Sequence, residues 1–525
     1  MDHEKPKASH EAGVPGTGGA AATVTAPAPR PKPSPPTGDG PPSPAPPDRA
    51  LWVLVGAVAV LLAIHLLPVP AALERGGNTI PLTVGGKACL AIMAFAVILW
   101  VTETVPFAVT SLLVVLLIPG LGLADFRTVV RAAFGEPIVT FFIGVLMLSA
   151  GFTRSGLGTR LVYQILGLVG TRTDRVLLGV LVVGSLLSWW ITDMAAAAML
   201  LPVGVGLLRD AGLEPGKSNF GRSLMIATAF GSLIGGIATP AGTAANLVAI
   251  AQLEQLAGVQ ISFLRWMAYG VPASLLMLPL AWWILLKVFP PELERLAITK
   301  ADIETRLSAL GPLRAVERWT LFVFLTVIAV WVGTPFLSSL TGGAFSPPIE
   351  AVALAGGLAL FLPRVKVMSW KEAERDIDWG GIMLIAAGLS LGLVVFETGA
   401  ARWLAWVLLG QITVVPPVLQ AFVIVLAVAG LHMMFSSNTV TASIIVPILV
   451  ALAQDLGLDL WAVVAPAAFT SSLAFILVSE GPTTIIPYAS GYFSIKDMAK
   501  AGIPVTVAAA ACVALSVWAN QLLGQ

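Results

Sequence analysis

Four long apolar stretches of this chain are each interrupted by a short polar sequence. Thr192-Asp193 breaks residues 175–208, and Thr239-Pro240-Ala241-Gly242 breaks residues 229–251. Ser436-Ser437-Asn438-Thr439 breaks residues 415–452, and Glu480-Gly481-Pro482 breaks residues 461–488. A break in an apolar helix frees N–H and C=O groups that lipid cannot satisfy, so it persists where the backbone lines a cavity or binds something. The helix N-termini created there offer N–H groups and partial positive charge to an anion. Asn and Thr side chains orient an oxyanion without adding charge, while freed carbonyls and Ser/Thr oxygens suit Na⁺. Asp193 and Glu480 add carboxylates, which at mid-membrane depth must pair with a cation or carry a proton. Asp193 is therefore a cation ligand, a proton-coupling group or a helix cap near water, and Glu480 has the same three readings.

The elements that hold these breaks are membrane helices. Of 525 residues, 57% are hydrophobic and 11% charged, against about 25% charged in soluble domains. Mean hydropathy is +0.89. Apolar runs long enough to span a bilayer occupy 51–70, 87–101, 106–123, 264–289, 319–336 and 503–523. A net charge of +1 points to no nucleic-acid partner, and Cys89 and Cys512 sit in apolar stretches, which argues against a disulfide framework. Residues 1–50 are rich in Pro, Ala, Gly and Ser and are expected to form a disordered spacer. They are not read as a signal peptide, because the first apolar run begins only at Leu51.

The breaks also repeat. Thr192 to Pro202 aligns without gaps to Ser437 to Pro447, 245 residues on. Thr239–Asn246 pairs with Ser479–Thr484, and Phe142–Leu161 pairs with Ile382–Leu404. The last pair, apolar with internal glycines and ending on a small-residue turn and an Arg, is expected to form two re-entrant hairpins. The order implies an internal duplication, inverted if each copy has an odd number of spans. The expected organisation is a first helix and first repeat over 51–289, a polar connector over 290–318 and a second repeat over 319–525. Arg295, Lys300, Arg306, Arg314 and Arg318 put the connector on the cytoplasmic side, and the tail with it.

At this point the residues resemble the divalent anion:sodium symporter family. Ser437-Asn438-Thr439 matches its Ser-Asn-Thr motif. Trp100-Val101-Thr102-Glu103-Thr104-Val105-Pro106, Asp378-Trp379-Gly380-Gly381, Thr239 to Asn246, and Ser490-Gly491-Tyr492-Phe493 with Ala501-Gly502 match further signatures. The resemblance covers about residues 51–525. It implies an all-α polytopic protein of about 11 helices plus two re-entrant hairpins, an inverted repeat, an elevator movement and a homodimer in the cell membrane. The implied activity is Na⁺-coupled transport of a small divalent anion (a dicarboxylate, citrate or sulfate), with no enzyme activity and no cofactor beyond the coupling ion. The substrate residues it implies are Asp193, Met194, Thr243, Asn438, Thr439, Gly481 and Pro482. For Na⁺ it implies Ser188, Thr192, Asp193 and Gly242, with a second site at Ser436, Ser437 and Asn438.

The chain departs from that pattern at Thr192-Asp193-Met194 for Ser-Asn-Thr, at Glu480-Gly481-Pro482 for Ala-Thr-Pro, and at Met433, where a Thr is common. H⁺ coupling or exchange through Asp193 and Glu480 is therefore the alternative. Glu103 is read as structural, at a helix junction, and His432 as packing rather than a ligand. Gly388-Leu389-Ser390-Leu391-Gly392 has the G-x-S-x-G pattern of hydrolases but lies in an apolar segment rather than at a strand-to-helix elbow. Gly231-Ser232-Leu233-Ile234-Gly235 reads as a helix-contact signal. A channel is the rival from another class, and two unequal polar breaks fit a carrier better.

Overall fold

The structure, a computed structural model, describes residues 47–75, 78–296, 300–410, 412 and 415–523. The tail expected over 1–50 lies outside the described residues except its last four, which already belong to helix α1 (Pro47–Leu66). A small antiparallel hairpin follows, β1 (Leu73–Arg75) and β2 (Asn78–Ile80), with Leu73 opposite Ile80.

Two matching series of helices come next. The first is α2 (Val84–Thr102), α3 (Phe107–Gly120), α4 (Phe126–Phe134), α5 (Pro137–Ser155), α6 (Leu157–Val169), α7 (Thr173–Ser188), α8 (Asp193–Asp210) and α9 (Asn219–Gly236). A 3-10 turn (Pro240–Gly242), α10 (Ala244–Ala257) and α11 (Phe263–Val288) complete it. After α12 (Lys300–Ala309) the order recurs. It runs α13 (Ala315–Leu340), α14 (Ile349–Ala359), α15 (Trp370–Asp376), α16 (Trp379–Glu397), α17 (Ala400–Leu409), α18 (Pro417–His432), α19 (Asn438–Leu456) and α20 (Leu460–Thr470). A 3-10 turn (Val478–Glu480), α21 (Pro482–Tyr488) and α22 (Ile495–Leu522) close it.

The two copies interlock reciprocally. α5 packs on α14 as α16 packs on α3, and α8 meets α21 as α19 meets α10. Among the described residues, eight helices are long and apolar enough to cross a membrane alone. The other crossings are shorter or broken. α3 and α14 are short spans, and α9–α10 and α20–α21 each make one crossing interrupted at a 3-10 turn. One of the eight, α19, turns back on α18 at a polar break. Leaving it out, the protein has about 11 crossings, α1 and five in each copy, so the copies run in opposite senses through the bilayer.

The re-entrant hairpins expected over 142–161 and 382–404 are not there. α5 and α16 are apolar spans that end at Gly156 and Gly399, both left-handed (φ 86° and 75°), a conformation an L side chain adopts only with strain. The chain leaves these turns in the shorter α6 and α17, which pack on other partners, α6 on α7 and α12 and α17 on α19. The pairs that carry the polar breaks at their turns are α7–α8 and α18–α19. Hydropathy cannot tell a helix that spans from one that turns back, and the polar residues themselves mark the turns.

Close packing fixes α7 against α9. A Cβ on Gly231 or Gly235 would collide with the Leu181 or Ser185 carbonyl, so the G-x-x-x-G sequence is a helix contact. Gly388 and Gly392 likewise make room for Ser443 and the Gln252 amide. Ser390 between them is fully buried and bonds back to Ala386 O and Ala387 O at 3.2 and 3.1 Å, as a helix-interior serine does. It is no nucleophile elbow. On the connector side, Arg160 Nε donates to Glu317 Oε1 at 3.0 Å and its NH1 to Gly311 O at 2.9 Å, while Arg314 NH2 donates to Ser155 O at 2.6 Å.

Candidate functional site

The two Ser-Asn-Thr-like breaks meet. Asn438 Nδ2 donates to Asp193 Oδ2 at 3.3 Å, so the contact joins internally equivalent residues 245 positions apart. Around it lies a cavity of about 140 Å³, comparable to an engineered cavity of about 150 Å³ that holds benzene.

The cavity has two unlike walls. One is polar and built from helix starts: Thr192, Asp193 and Met194 at α8, Thr243 and Ala244 at α10, Ser436 to Thr439 at α19, and Pro482 and Thr483 at α21. The other is mostly apolar and comes from the spans α3, α5 and α16, with Phe107, Phe142, Leu146 and Leu384. Asp378, Gly380 and Gly381 add the start of α16, where the Asp378 carboxylate accepts from Gly381 N at 2.9 Å. No Lys, Arg or His lines the cavity among the described residues.

The helix starts are not equally open. At α8 the Thr192 hydroxyl accepts from Ala195 N at 3.4 Å, and Asp193 Oδ1 accepts from Met194 N at 2.8 Å. The Thr483 hydroxyl lies beside the same carboxylate. α10 and α19 begin with no side-chain cap beside the cavity, which leaves N–H groups of their first turns open, although Asn246 N donates back to Thr243 O at 3.2 Å. Asn438 Oδ1 is a buried atom without a partner, and it sits 3.3 Å from where a Cβ on Gly481 would lie.

Behind Asp193 is a second, smaller cluster. The Ser188 hydroxyl is fully buried and has no hydrogen-bond partner. A Cβ on Gly236 would lie 3.4 Å from Asp193 Cβ and 3.6 Å from both Ser188 Oγ and Gly242 O. A Cβ on Gly242 would collide with Gly236 O and stand 2.7 Å from Ser188 O. The Ser188 hydroxyl and the Ser188, Gly236 and Gly242 carbonyls thus converge beside Asp193, with room for no side chain at Gly242, an oxygen donor set of the kind that holds a small hard cation. Asn246 braces this loop: its Nδ2 donates to Gly236 O at 2.7 Å and Thr239 O at 2.8 Å, and its Oδ1 accepts from Ser472 Oγ at 3.4 Å.

Of the substrate candidates, Asp193, Met194, Thr243, Asn438, Thr439 and Pro482 line the cavity, and Gly481 abuts it through Asn438. Of the cation candidates, Ser188 and Gly242 fall in the cluster behind Asp193, whereas Thr192, Ser436, Ser437 and Asn438 line the cavity itself. Thr192 serves α8 as its cap, and Ser436 Oγ donates to Trp100 O at 2.9 Å.

Met433, which lies 245 residues after its counterpart Ser188, carries no oxygen in its side chain and is 38% exposed. Glu480 does not line the cavity. Its carboxylate accepts from Leu477 N at 2.8 Å and Ile476 N at 3.3 Å, because a buried carboxylate must find donors and its own loop supplies them. His432 is buried beside the backbone of Thr470 and Glu480, with neither ring nitrogen in good hydrogen-bond geometry, and does not line the cavity. Glu103 stands at the α2 C-terminus with φ 47°, a helix junction as expected. Sequence reasoning missed Gly236, Thr483, Asp378 and the apolar wall. The Gly235-Gly236 pair just before Thr239 was the one signal available for Gly236.

Comparison with known proteins bears on this geometry. Residues 48–524 match the family described as the sodium:sulfate symporter transmembrane region. The chain is 31% identical over 450 residues to the sodium-dependent dicarboxylate transporter SdcS of Staphylococcus saprophyticus, covering 82% of this chain and 86% of that one. It is 31% identical over 448 residues to SdcS of Staphylococcus aureus strain USA300, covering 82% and 85%. A membrane protein of Cupriavidus necator is 28% identical over 485 residues, covering 87% and 89%. Among solved structures, the Alcanivorax borkumensis YdaH transporter is similar in fold, with a TM-score of 0.56 at 15% identity over 90% of this chain and 98% of that one.

Proposed function

The chain belongs to the sodium:sulfate symporter family, and on that premise we propose that it is a secondary active transporter, moving a small divalent anion, a dicarboxylate foremost, with Na⁺ as the coupling ion. The observation that carries this reading is the cavity in which the uncapped starts of α10 and α19 converge against an apolar wall. Free N–H groups and the positive helix ends receive the anion, and Thr243, Asn438 and Thr439 orient it. Na⁺ travels as co-substrate at Ser188, Asp193, Gly236 and Gly242, where the orphan hydroxyl and converging carbonyls fit it. A second cation at Ser436, Ser437 and Asn438 is held more weakly, since Met433 contributes no oxygen.

The two-walled cavity supports an elevator. The helices bearing the breaks move against the frame of α3, α5, α14 and α16, carrying the polar wall past the apolar one. The protein works as a homodimer in the cell (inner) membrane, with the basic connector and the tail in the cytoplasm. The reading is tested by reconstituting the full chain in proteoliposomes and following labelled succinate, citrate and sulfate. Uptake of one of them driven by an inward Na⁺ gradient is expected. Uptake that follows an H⁺ gradient and ignores Na⁺ would overturn the coupling, and silence across the panel would overturn the substrate class.

A further inference from the structure

From the unequal capping of the helix starts we infer that the preferred substrate is a dicarboxylate that also carries an ammonium group, an acidic amino acid of the aspartate type, with the ammonium seated against Asp193 and Asn438. This rests on the transport reading above.

The two halves of the cavity do not offer the same chemistry. At α19 the N–H groups are free and the side chains that follow are an amide and a hydroxyl, Asn438 and Thr439. At α8 the equivalent positions hold a carboxylate and a thioether, Asp193 and Met194, and the first N–H groups are already taken by Thr192 and Asp193. A substrate carboxylate placed there would meet a like charge with no free donor to offset it. The open donors lie instead at the starts of α10 and α19, which gives the two carboxylates separate places.

What faces Asp193 must then be a donor. Asp193 Oδ2 accepts from Asn438 at 3.3 Å, longer than the usual N–H···O distance of about 2.9–3.0 Å and so readily replaced by a stronger donor. Asn438 Oδ1 has no partner at all. With the Thr483 hydroxyl beside Asp193, the spot offers three acceptors, the number an ammonium can fill. Asp378 adds a second carboxylate to the rim, and no cationic side chain among the described lining residues competes for it.

The test is Na⁺-driven proteoliposome uptake of labelled L-aspartate, L-malate and succinate by the full chain and by the Asp193→Asn variant. Na⁺-dependent thermal stabilisation by each compound is measured alongside, so that a variant with slow transport stays readable. Aspartate is expected to be preferred over succinate by about a hundredfold, the scale of losing one partner of a desolvated charge pair. Asp193→Asn, compared by the ratio of the two substrates at a Na⁺ concentration raised to saturate its weakened cation site, is expected to remove that preference. Asp378→Asn is expected to narrow it less. Na⁺-driven uptake of succinate or malate in preference to aspartate would overturn the inference and leave the transport reading standing. An aspartate preference unchanged in Asp193→Asn would overturn the assigned partner. Absence of Na⁺-driven uptake and of stabilisation by all three compounds would overturn both readings together.

Discussion

Ser188 carries a hydroxyl that meets no partner, in a place where water and lipid are both excluded, and an orphan of that kind is costly unless something binds it. Ser188→Ala should therefore leave the fold intact while raising the Na⁺ concentration for half-maximal uptake about fivefold, from one neutral oxygen ligand worth about 1 kcal/mol. An unchanged Na⁺ dependence would remove Ser188 from the cation cluster. Glu480 makes the opposite case. Its two N–H donors would be stranded in Glu480→Ala, so the thermal midpoint should fall by the equivalent of about 1–3 kcal/mol. The pH profile of the remaining uptake should match that of the parent, because the carboxylate closes a loop and does not face the cavity. A pH profile that flattens in this variant would restore Glu480 as a proton carrier.

At the scale of elements, the breaks and their repetition were legible in the sequence because lipid tolerates polar residues inside an apolar run only where they turn a helix or face a cavity. The places of the turns were not. Gly156 and Gly399 end spans, and only the packing of α6 and α17 on other helices reveals it. The apolar wall was invisible for a different reason. Phe107, Phe142, Leu146 and Leu384 look like any lipid-facing or core residue until the helices are assembled. Gly236 belongs to the same class, since its importance lies in a backbone approach to Ser188 and Gly242 that no local pattern records. The α7–α9 contact gives a prediction at this scale. Gly235→Val places two methyl groups against the Ser185 carbonyl, and overpacking of about 1–3 kcal/mol or more should lower stability and detach Ser188 from Gly236, so Na⁺ affinity should fall with it. Full stability with normal Na⁺ dependence would mean that the helices can separate there without consequence.

For the whole molecule, the connector between the copies is fastened to the first of them. Arg160 reaches Glu317 and the Gly311 carbonyl, and both side chains of the ion pair are nearly enclosed at 10% and 3% exposed. Glu317→Ala would leave a guanidinium without its counter-charge, and a loss of about 3–5 kcal/mol is expected, read as a lower thermal midpoint of the purified protein. Little or no loss would mean that the connector floats free. The contact between Asp193 and Asn438 reaches further, into history. In an ancestor made of two identical chains, both positions would have held the same residue at hydrogen-bonding distance. Two carboxylates so close could not both have stayed ionised, whereas two amides could have paired. The contact therefore suits one carboxylate and one amide, and the two copies can differ here because they are joined in one chain and free to diverge.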